Sequence, residues 1–182
     1  MDRRKQKSRK IIMDAFIGLL KEKNIEKISL IEIANKANVN RGTIYLNFID
    51  KYDLLDQCIE ENLSEVFKEC RENINAKEVT SSKESIRMVL EQLEKRFDFY
   101  KTLLKNTNFS AFRKSIHDEV VDSIRAVGFI KEDAKILQSE VTIEFLASGI
   151  SGALEWWFKN SAVYTSQQIL NELWDLVQKF ND

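Results

Sequence analysis

The sequence predicts an all-α protein in which a small three-helix, helix-turn-helix module precedes a larger helical body. The chain has 182 residues with no proline and only five glycines, a composition that favours long uninterrupted helices over many-turned β structure. Apolar residues recur at helical spacing along most of its length. Within residues 29–55, two short helical patterns are joined by a polar turn and followed by the start of a longer helix.

The first predicted helix follows a strongly basic N-terminal segment. Its apolar residues have helical spacing, so the basic run leads directly into an amphipathic helix. The cations could belong to a frayed, solvated terminus, but their position beside a helix-turn-helix pattern favours contact with phosphate or the minor groove. The six cations of the first ten residues are Arg3, Arg4, Lys5, Lys7, Arg9 and Lys10, of which Arg3, Arg4 and Lys5 are our candidates for DNA binding.

The second predicted helix begins at a capping box. Ser29 and Glu32 have the spacing at which a hydroxyl and a carboxylate satisfy each other's backbone amides. Ile33 and Ala34 continue its buried face. The sequence Asn38-Val39-Asn40 ends the run, since asparagine tolerates the left-handed conformation that a tight turn needs.

The third predicted helix extends from about Arg41 to Phe48, with Ile44 and Phe48 on its buried face. The opposite face then offers a guanidinium, two hydroxyls and an amide, which suit phosphates and base edges. The candidate DNA-binding residues here are Asn40, Arg41, Gly42, Thr43, Tyr45 and Asn47. Gly42 would let the helix backbone approach a groove closely.

A fourth helix is predicted from an N-cap at Asp50 to about residue 73, and it links the two parts of the chain. Lys51 lies at its N-terminus, where the side-chain charge and the helix dipole could favour the same phosphate. Residues 75–82 are polar and aperiodic, and mark a boundary between modules. The body is then predicted as helices over about 82–104, 109–127, 132–159 and 166–180.

The pattern in the N-terminal module resembles the tetracycline-repressor (TetR) family of bacterial transcription regulators over about residues 8–56. The matching residues are Ile33-Ala34, Val39, Thr43-Ile44-Tyr45, Phe48, Lys51 and Leu54-Leu55. The sequence departs from the family at Asn38, where the turn often has glycine, and at Asn47, where histidine is common. The resemblance implies a DNA-binding domain over 1–56 and a dimerisation and effector domain over 57–182. It also implies that Thr43, Tyr45 and Lys51 contact the phosphate backbone.

A second, looser resemblance covers residues 148–160 and is nearest to the subgroup that regulates dihydroxyacetone kinase operons. In the family, a Gly-apolar-x-Gly run leads to a tryptophan, and the last two helices form a four-helix dimer interface. The resemblance implies that Gly149, Gly152, Trp157 and Trp174 lie at or near such an interface. From the sequence alone, the tryptophans could equally belong to the core of one protomer.

Family effectors usually bind inside the C-terminal body, where this chain has an apolar and aromatic set of side chains. They are Phe97, Tyr100, Phe109, Phe112 and His117. If these line a cavity, it should favour an apolar or aromatic compound oriented by the Tyr100 hydroxyl or His117. The plainer alternative is that they are ordinary core residues.

Charge is divided unevenly along the chain. Residues 1–51 hold twelve basic and six acidic side chains, whereas the remaining 131 residues hold sixteen and twenty-three. This split indicates an anion-binding module attached to an acidic body. There is no signal peptide pattern and no apolar run long enough for a membrane span, so we expect a cytoplasmic protein with no membrane association.

The sequence contains no motif for catalysis, metal or cofactor binding. It has one histidine and two cysteines, Cys58 and Cys70, twelve residues apart on one predicted helix and so too distant for a disulfide. No P-loop, dinucleotide fingerprint or CxxC is present. We therefore expect a protein that is not an enzyme and has no cofactor.

The function that best fits these observations is a homodimeric transcription regulator, most simply a repressor, that binds a palindromic operator in double-stranded DNA. Its effector would be a small apolar or aromatic compound or a protein co-regulator. Two alternatives stay open: an activator that responds to a protein partner, and a DNA-bound adaptor whose main output is protein–protein contact. A regulator would occupy few promoters, whereas an adaptor would occupy many dispersed sites.

Overall fold

The computed structural model describes residues 3–76, 82–105, 110–127, 139–160 and 163–179, and within these ranges it is helical without strands. The helices are α1 (Arg3–Glu22), α2 (Leu30–Ala37), α3 (Arg41–Tyr45), α4 (Lys51–Ala76), α5 (Ser82–Lys95), α6 (Phe97–Leu104), α7 (Ser110–Val127), α8 (Glu140–Lys159) and α9 (Ser166–Gln178), with a short 3₁₀ turn, Ile25–Lys27, between α1 and α2. No described helix is long and apolar enough to cross a membrane. The predicted all-α fold class is confirmed.

The predicted helix-turn-helix is present in α1–α3. The capping box at the start of α2 is formed: the Ser29 hydroxyl accepts from the Glu32 amide at 3.2 Å, and the Glu32 carboxylate accepts from the Ser29 amide at 2.9 Å. Asn38 adopts the left-handed conformation at φ 51°, ψ 46° and ends α2. The module closes around fully buried apolar side chains, which include Ile12, Phe16, Ile33, Ile44 and Leu54.

The body packs α4–α9 around an aromatic core. Phe97 meets the rings of Trp157 and Phe158 edge-on, each at 4.7 Å between centroids, and Tyr100 meets Phe112 at 5.6 Å. Helices α7 and α8 lie side by side and are joined by ion pairs. These pairs are Arg113–Glu155 and Arg125–Glu140, and His117 Nε2 lies 3.1 Å from a Glu144 carboxylate oxygen. The apolar core is continuous from α1 to α9.

Several helix boundaries differ from the predicted ones, and three of the differences have a visible local cause. Helix α3 ends at Tyr45 rather than Phe48, because the amides of Asn47 and Phe48 both donate to the Ile44 carbonyl and tighten the last turn. The helix predicted over 82–104 breaks at Arg96, with φ −105° and ψ 14°, and this break turns Phe97 toward α8. Helix α8 begins at Glu140 after extended Ser139.

Some sequence predictions lie outside the described residues. Among them are residues 77–81 of the predicted boundary, the segment 132–138 of a predicted body helix and the predicted end of the last helix at 180.

Candidate nucleic-acid interface

Helix α3 presents a polar pair to solvent. Its N-cap is Asn40, whose Oδ1 accepts from the Gly42 amide at 2.9 Å, and Ile44 anchors it in the core. Arg41 Nη2 donates to the Tyr45 hydroxyl at 2.8 Å, and the guanidinium lies 5.4 Å from the centroid of the Tyr45 ring. Both side chains are exposed, so a phosphate or base could engage them without unfolding the helix.

Gly42 is exposed, and the fold does not require a glycine there. Outside its own helix backbone and chain neighbours, a Cβ at this position would meet Asn40 Oδ1 at 3.5 Å and nothing else within 4 Å. Alanine is favoured over glycine in a helix. Packing within the described residues therefore does not explain the glycine.

Asn47 does not point outward as the sequence interpretation expected. Its Nδ2 donates back to the Thr43 carbonyl at 2.7 Å, and its Oδ1 is buried without a hydrogen-bond partner in the described structure. The reason is the tightened end of α3, where carbonyls left free by the short helix need donors. Thr43 itself is half-buried.

The Lys51 ammonium is directed into the protein. It donates to the carbonyls of Ile25, Ile28 and Glu26 at 2.8, 3.2 and 3.3 Å. An ammonium has three donors, and these contacts use all of them. Lys51 thus fixes the connection between α1 and α2 to the start of α4, and its contact with phosphate stays a prediction.

The basic N-terminal segment is helical from Arg3, and one of its cations is structural. Arg9 has a side chain only 13% exposed and bonded to Glu61. It also donates to Gln57 Oε1 at 2.6 Å and to the Asn47 carbonyl at 3.4 Å, and lies 4.9 Å from the Phe48 ring centroid. In the sequence, Arg9 looks like the other cations of the segment, because composition does not show which side chain has partners.

Five other cations of this segment remain exposed on α1: Arg3, Arg4, Lys5, Lys7 and Lys10. The first turn of α1 contains no acidic residue. Positive side chains at a helix N-terminus are unfavourable with respect to the helix dipole. A nearby anion would relieve this repulsion, so the segment suits contact with phosphate.

Phe97, Tyr100 and Phe112 of the proposed ligand-binding set lie in or against the apolar core, which agrees with the plainer alternative. Tyr100 and Phe112 are fully buried, and the Tyr100 hydroxyl donates to Asn62 Oδ1 at 2.6 Å. Phe97 packs on Trp157, while His117 lies between α7 and α8 with Nε2 3.1 Å from Glu144. Phe109 lies outside the described residues. Phe97, Tyr100 and Phe112 each meet the Phe158 ring edge-on, at 4.7, 5.2 and 5.0 Å between centroids, so these three rings are packed together.

An apolar cavity of about 70 Å³ lies elsewhere in the body, between α4, α5, α7, α8 and α9. Phe97, Tyr100, Phe112 and His117, the described members of the predicted set, do not line it. Its walls include Phe67, Cys70, Ile86, Leu90, Val120 and Ile124. Burial raises the pKa of the Cys70 thiol to about 11, so it lines the cavity as a neutral group. The sequence contains no pattern that distinguishes these mostly apolar residues, as the wall of a cavity, from ordinary core residues.

Trp157 lies in the core of the protomer, an alternative that the sequence left open. It is fully buried, and its Nε1 donates to the Tyr164 carbonyl at 2.9 Å, so it forms no part of the exposed surface. Its neighbour Trp156 is the exposed tryptophan. Gly149 and Gly152 are exposed, and Trp174 is half-buried with the Lys83 ammonium 5.8 Å from its ring centroid. Trp156 is four residues after Gly152 and so lies on the same face of the helix, which means that helical spacing would have predicted Trp156 rather than Trp157 as the exposed tryptophan.

Together, the fold and this surface define a helix-turn-helix protein with an all-helical body. Residues 12–58 match the family model of bacterial regulatory proteins of the tetR family. Residues 80–179 match a model for the C-terminal region of TetR-type transcriptional regulators. The chain belongs to the TetR family of DNA-binding transcriptional regulators.

Two curated relatives come from Bacillus subtilis strain 168. An uncharacterized HTH-type transcriptional regulator, YxbF, is 21% identical over 171 residues, which cover 92% of this chain and 44% of that protein. A fatty acid metabolism regulator protein is 32% identical over 79 residues, which cover 43% of this chain and 40% of that protein. The chain thus spans less than half the length of these relatives.

Solved structures of the family share the fold over nearly the whole chain. The dihydroxyacetone kinase operon activator DhaS superimposes with a TM-score of 0.66 at 18% identity, covering 96% of this chain and 98% of that one. A TetR-family regulator from Streptomyces coelicolor gives 0.66 at 16% identity, with 97% and 96% covered. Thermus thermophilus FadR in complex with lauroyl-CoA gives 0.60 at 19%, with 93% of each covered.

Proposed function

We propose that this chain is a homodimeric repressor that binds a palindromic operator through α3 and the basic start of α1. Residues 1–56 would contact DNA, and residues 57–182 would form the dimer and hold an effector, with α4 joining the two parts. The observation that carries this proposal is an exposed apolar stripe on α8. Its members are Val141, Phe145, Gly149, Gly152 and Trp156.

The stripe has the geometry of a helix–helix contact. At 100° per residue its five members fall within an arc of about 80° on one side of α8. The side chains of Val141, Phe145 and Trp156 are 78%, 62% and 46% exposed. Apolar side chains aligned along a helix and left in water favour association with another apolar surface.

The two glycines in the stripe support a close approach by that partner. A Cβ at Gly149 or Gly152 would meet no atom of the described residues within 4 Å, so packing within that part of the protomer does not explain them. Each glycine inside a helix costs about 0.5–1 kcal/mol relative to alanine. A second copy of α8 crossing at this point would account for both.

A two-fold axis that relates two copies of α8 would also relate two copies of the DNA-binding module, and such a dimer fits a palindromic operator. Two copies of α3 related by that axis would read inverted half-sites, and their separation must be about 34–36 Å to enter successive major grooves. The exposed cations of α1 would neutralise phosphates beside each α3. Together these contacts would make binding strongly dependent on salt.

The 70 Å³ cavity supports an apolar effector. Its volume is about twice the share of one water molecule and below that of a drug-sized ligand, so a ligand would have to spread the surrounding helices. Helix α4 supplies Phe67 and Cys70 to the cavity wall, and its other end holds Lys51 against the α1–α2 connection. Displacing α4 would therefore move the two α3 helices off their spacing and release the operator.

Gly152→Glu tests the dimer. A charge in the stripe should give a monomer by sedimentation velocity and weaken operator binding, with helical content unchanged. Ser64→Glu, a charge on an exposed position of α4, is the matched control and should remain dimeric. A folded, dimeric Gly152→Glu protein would show that the interface lies elsewhere.

Genome-wide mapping of bound sites tests the regulatory role. A repressor should occupy one or a few promoters at inverted repeats, and a reporter from such a promoter should rise when the protein is deleted. A fall in the reporter would identify an activator, and many dispersed sites would identify an adaptor.

A further inference from the structure

Leu46 lies at the C-terminal end of α3 on its solvent-exposed side, although its side chain has no polar atom. Its backbone continues the helical conformation of α3 at φ −72° and ψ −16°, and its amide donates to the Gly42 carbonyl at 3.1 Å. Gly42 and Leu46 are each two residues from buried Ile44, so both lie about 160° around the helix from it. They form the ridge of α3 that points away from the core.

Helix geometry directs the side chain at position 46 toward the turn that contains Gly42. Side chains on an α-helix tilt toward its N-terminus, so a residue covers the turn that precedes it. Leu46 is nonetheless 77% exposed. Its surroundings inside the protomer therefore explain neither its size nor its apolar character.

The chemistry of the major groove gives this leucine a specific partner. A leucine can accept no hydrogen bond and donate none, so it gains nothing from phosphates or from the polar edges of guanine, cytosine and adenine. The apolar group at the base edges of the major groove is the thymine C5-methyl. The flanking pair, Arg41 and Tyr45, offers polar contacts on the same helix.

We propose that Leu46 reads a thymine methyl group in each operator half-site. It would thereby determine specificity, while the exposed cations of α1 supply affinity. Gly42 would provide the clearance that lets the Leu46 ridge reach the floor of the groove. This inference rests on the proposed DNA contact of α3.

The test uses duplexes selected from a random pool by the full-length protein. Each thymine of the selected site is replaced in turn by deoxyuridine, which removes only the methyl group. One thymine in each half-site should show a loss of about fourfold per methyl, the value expected for burying one such group. Leu46→Ala should bind the thymine site more weakly and show no further loss with deoxyuridine.

Two further variants distinguish loss of thymine-methyl recognition from a general effect of changing an exposed apolar side chain. Leu46→Met keeps an apolar side chain of similar volume and should keep the methyl sensitivity. Ile49→Ala removes a side chain that is also about 80% exposed but lies beyond α3, and it should keep that sensitivity as well. All three variants should melt at the wild-type temperature, because the positions are exposed.

The outcomes distinguish this inference from the proposed function. If the wild-type protein selects a sequence but no thymine is sensitive to its methyl group, the role of Leu46 is wrong and DNA binding stands. Equal methyl sensitivity in wild type and Leu46→Ala would also overturn it. A protein that selects no sequence would overturn the DNA contact of α3 and the role of Leu46 together.

Discussion

At the scale of single residues, Gly42 is a position where the fold and the proposed DNA contact make opposite demands. The position is exposed and has room for a methyl group. Because alanine is the better helix former, Gly42→Ala should raise the free energy of unfolding by about 0.5–1 kcal/mol. The same methyl group would hold α3 away from the groove, so operator affinity should fall.

Denaturant unfolding and a binding titration on the same Gly42→Ala preparation measure the two effects. A stabilised protein with unchanged operator affinity would mean that α3 does not approach DNA as closely as we propose. Asn35→Ala, at an exposed position of α2, is the control for an alanine on a neighbouring helix.

Lys51 is the residue for which sequence and structure assign different partners. Family resemblance implies a phosphate contact, whereas its ammonium donates to three carbonyls between α1 and α2. Lys51→Met should lower the free energy of unfolding by about 1–3 kcal/mol, because it leaves those carbonyls without their charged donor. The slope of log affinity against log salt should remain near that of wild type.

Lys10→Met is the matched control for Lys51. Lys10 is exposed on α1, so this variant should keep its stability and reduce the salt slope by about one. The opposite pattern, a stable Lys51→Met protein with a reduced slope, would support the phosphate contact instead.

At the scale of helices, the cap of α2 connects local sequence to the stability of the module. Glu32 closes the capping box and also bonds to Lys23. The Lys23 ammonium, followed by the Ser29 amide and hydroxyl, lowers the pKa of Glu32 from 4.5 to about 2. The ionised form is thus favoured in the folded protein.

This shift predicts a defined dependence on pH. A carboxylate whose pKa is depressed on folding stabilises the protein above its unfolded value, and that contribution is lost as pH falls from about 4.5 toward 2. Glu32→Gln keeps the capping hydrogen bond but removes the charge. The stability difference between wild type and Glu32→Gln should therefore be present at pH 6 and shrink below pH 4.5.

Urea unfolding across that pH range measures the Glu32 effect. Glu60→Gln, at an exposed position of α4, is the comparison that removes a carboxylate outside the cap. A constant difference between wild type and Glu32→Gln at every pH would contradict the assigned cause.

Helix α4 has the widest structural role of the elements. Its 26 residues extend about 39 Å. The N-terminal part holds Lys51 and the Gln57 and Glu61 partners of Arg9, and the C-terminal part forms a wall of the cavity. One rigid element therefore touches both the DNA-binding module and the proposed effector site.

At the scale of the whole molecule, an effector should couple the cavity to DNA binding. A compound that binds the cavity at 100 times its dissociation constant should stabilise the free protein by about 2.7 kcal/mol. We expect thermal-shift hits among small apolar compounds, and these hits should weaken operator binding because they displace α4.

Val120→Leu tests whether such compounds occupy the cavity. Val120 is buried in its wall, and an added methylene would take up part of the 70 Å³. The variant should lose the thermal shift while it retains operator binding. A hit that stabilises both proteins equally would bind elsewhere, and a hit that leaves operator binding unchanged would show a ligand site without a switch.

The sequence by itself determined the helix-turn-helix, because its signals are local. The capping box at Ser29 and Glu32, the left-handed turn at Asn38 and the apolar spacing around Ile44 act within a few residues and were all confirmed. Local motifs of this kind also carried the resemblance to the family. The basic run in the first ten residues showed that cations lie at the start of α1.

Only the tertiary structure decided which side chains are free to act. Arg9 and Arg3 are alike in a basic run, yet Arg9 is held by groups up to 52 residues away, whereas Arg3 is exposed. The cavity likewise arises where five helices fail to fill the space between them. The partners of a side chain and the cavities between helices depend on contacts between segments that are distant in the sequence. The local spacing of residues does not show those contacts.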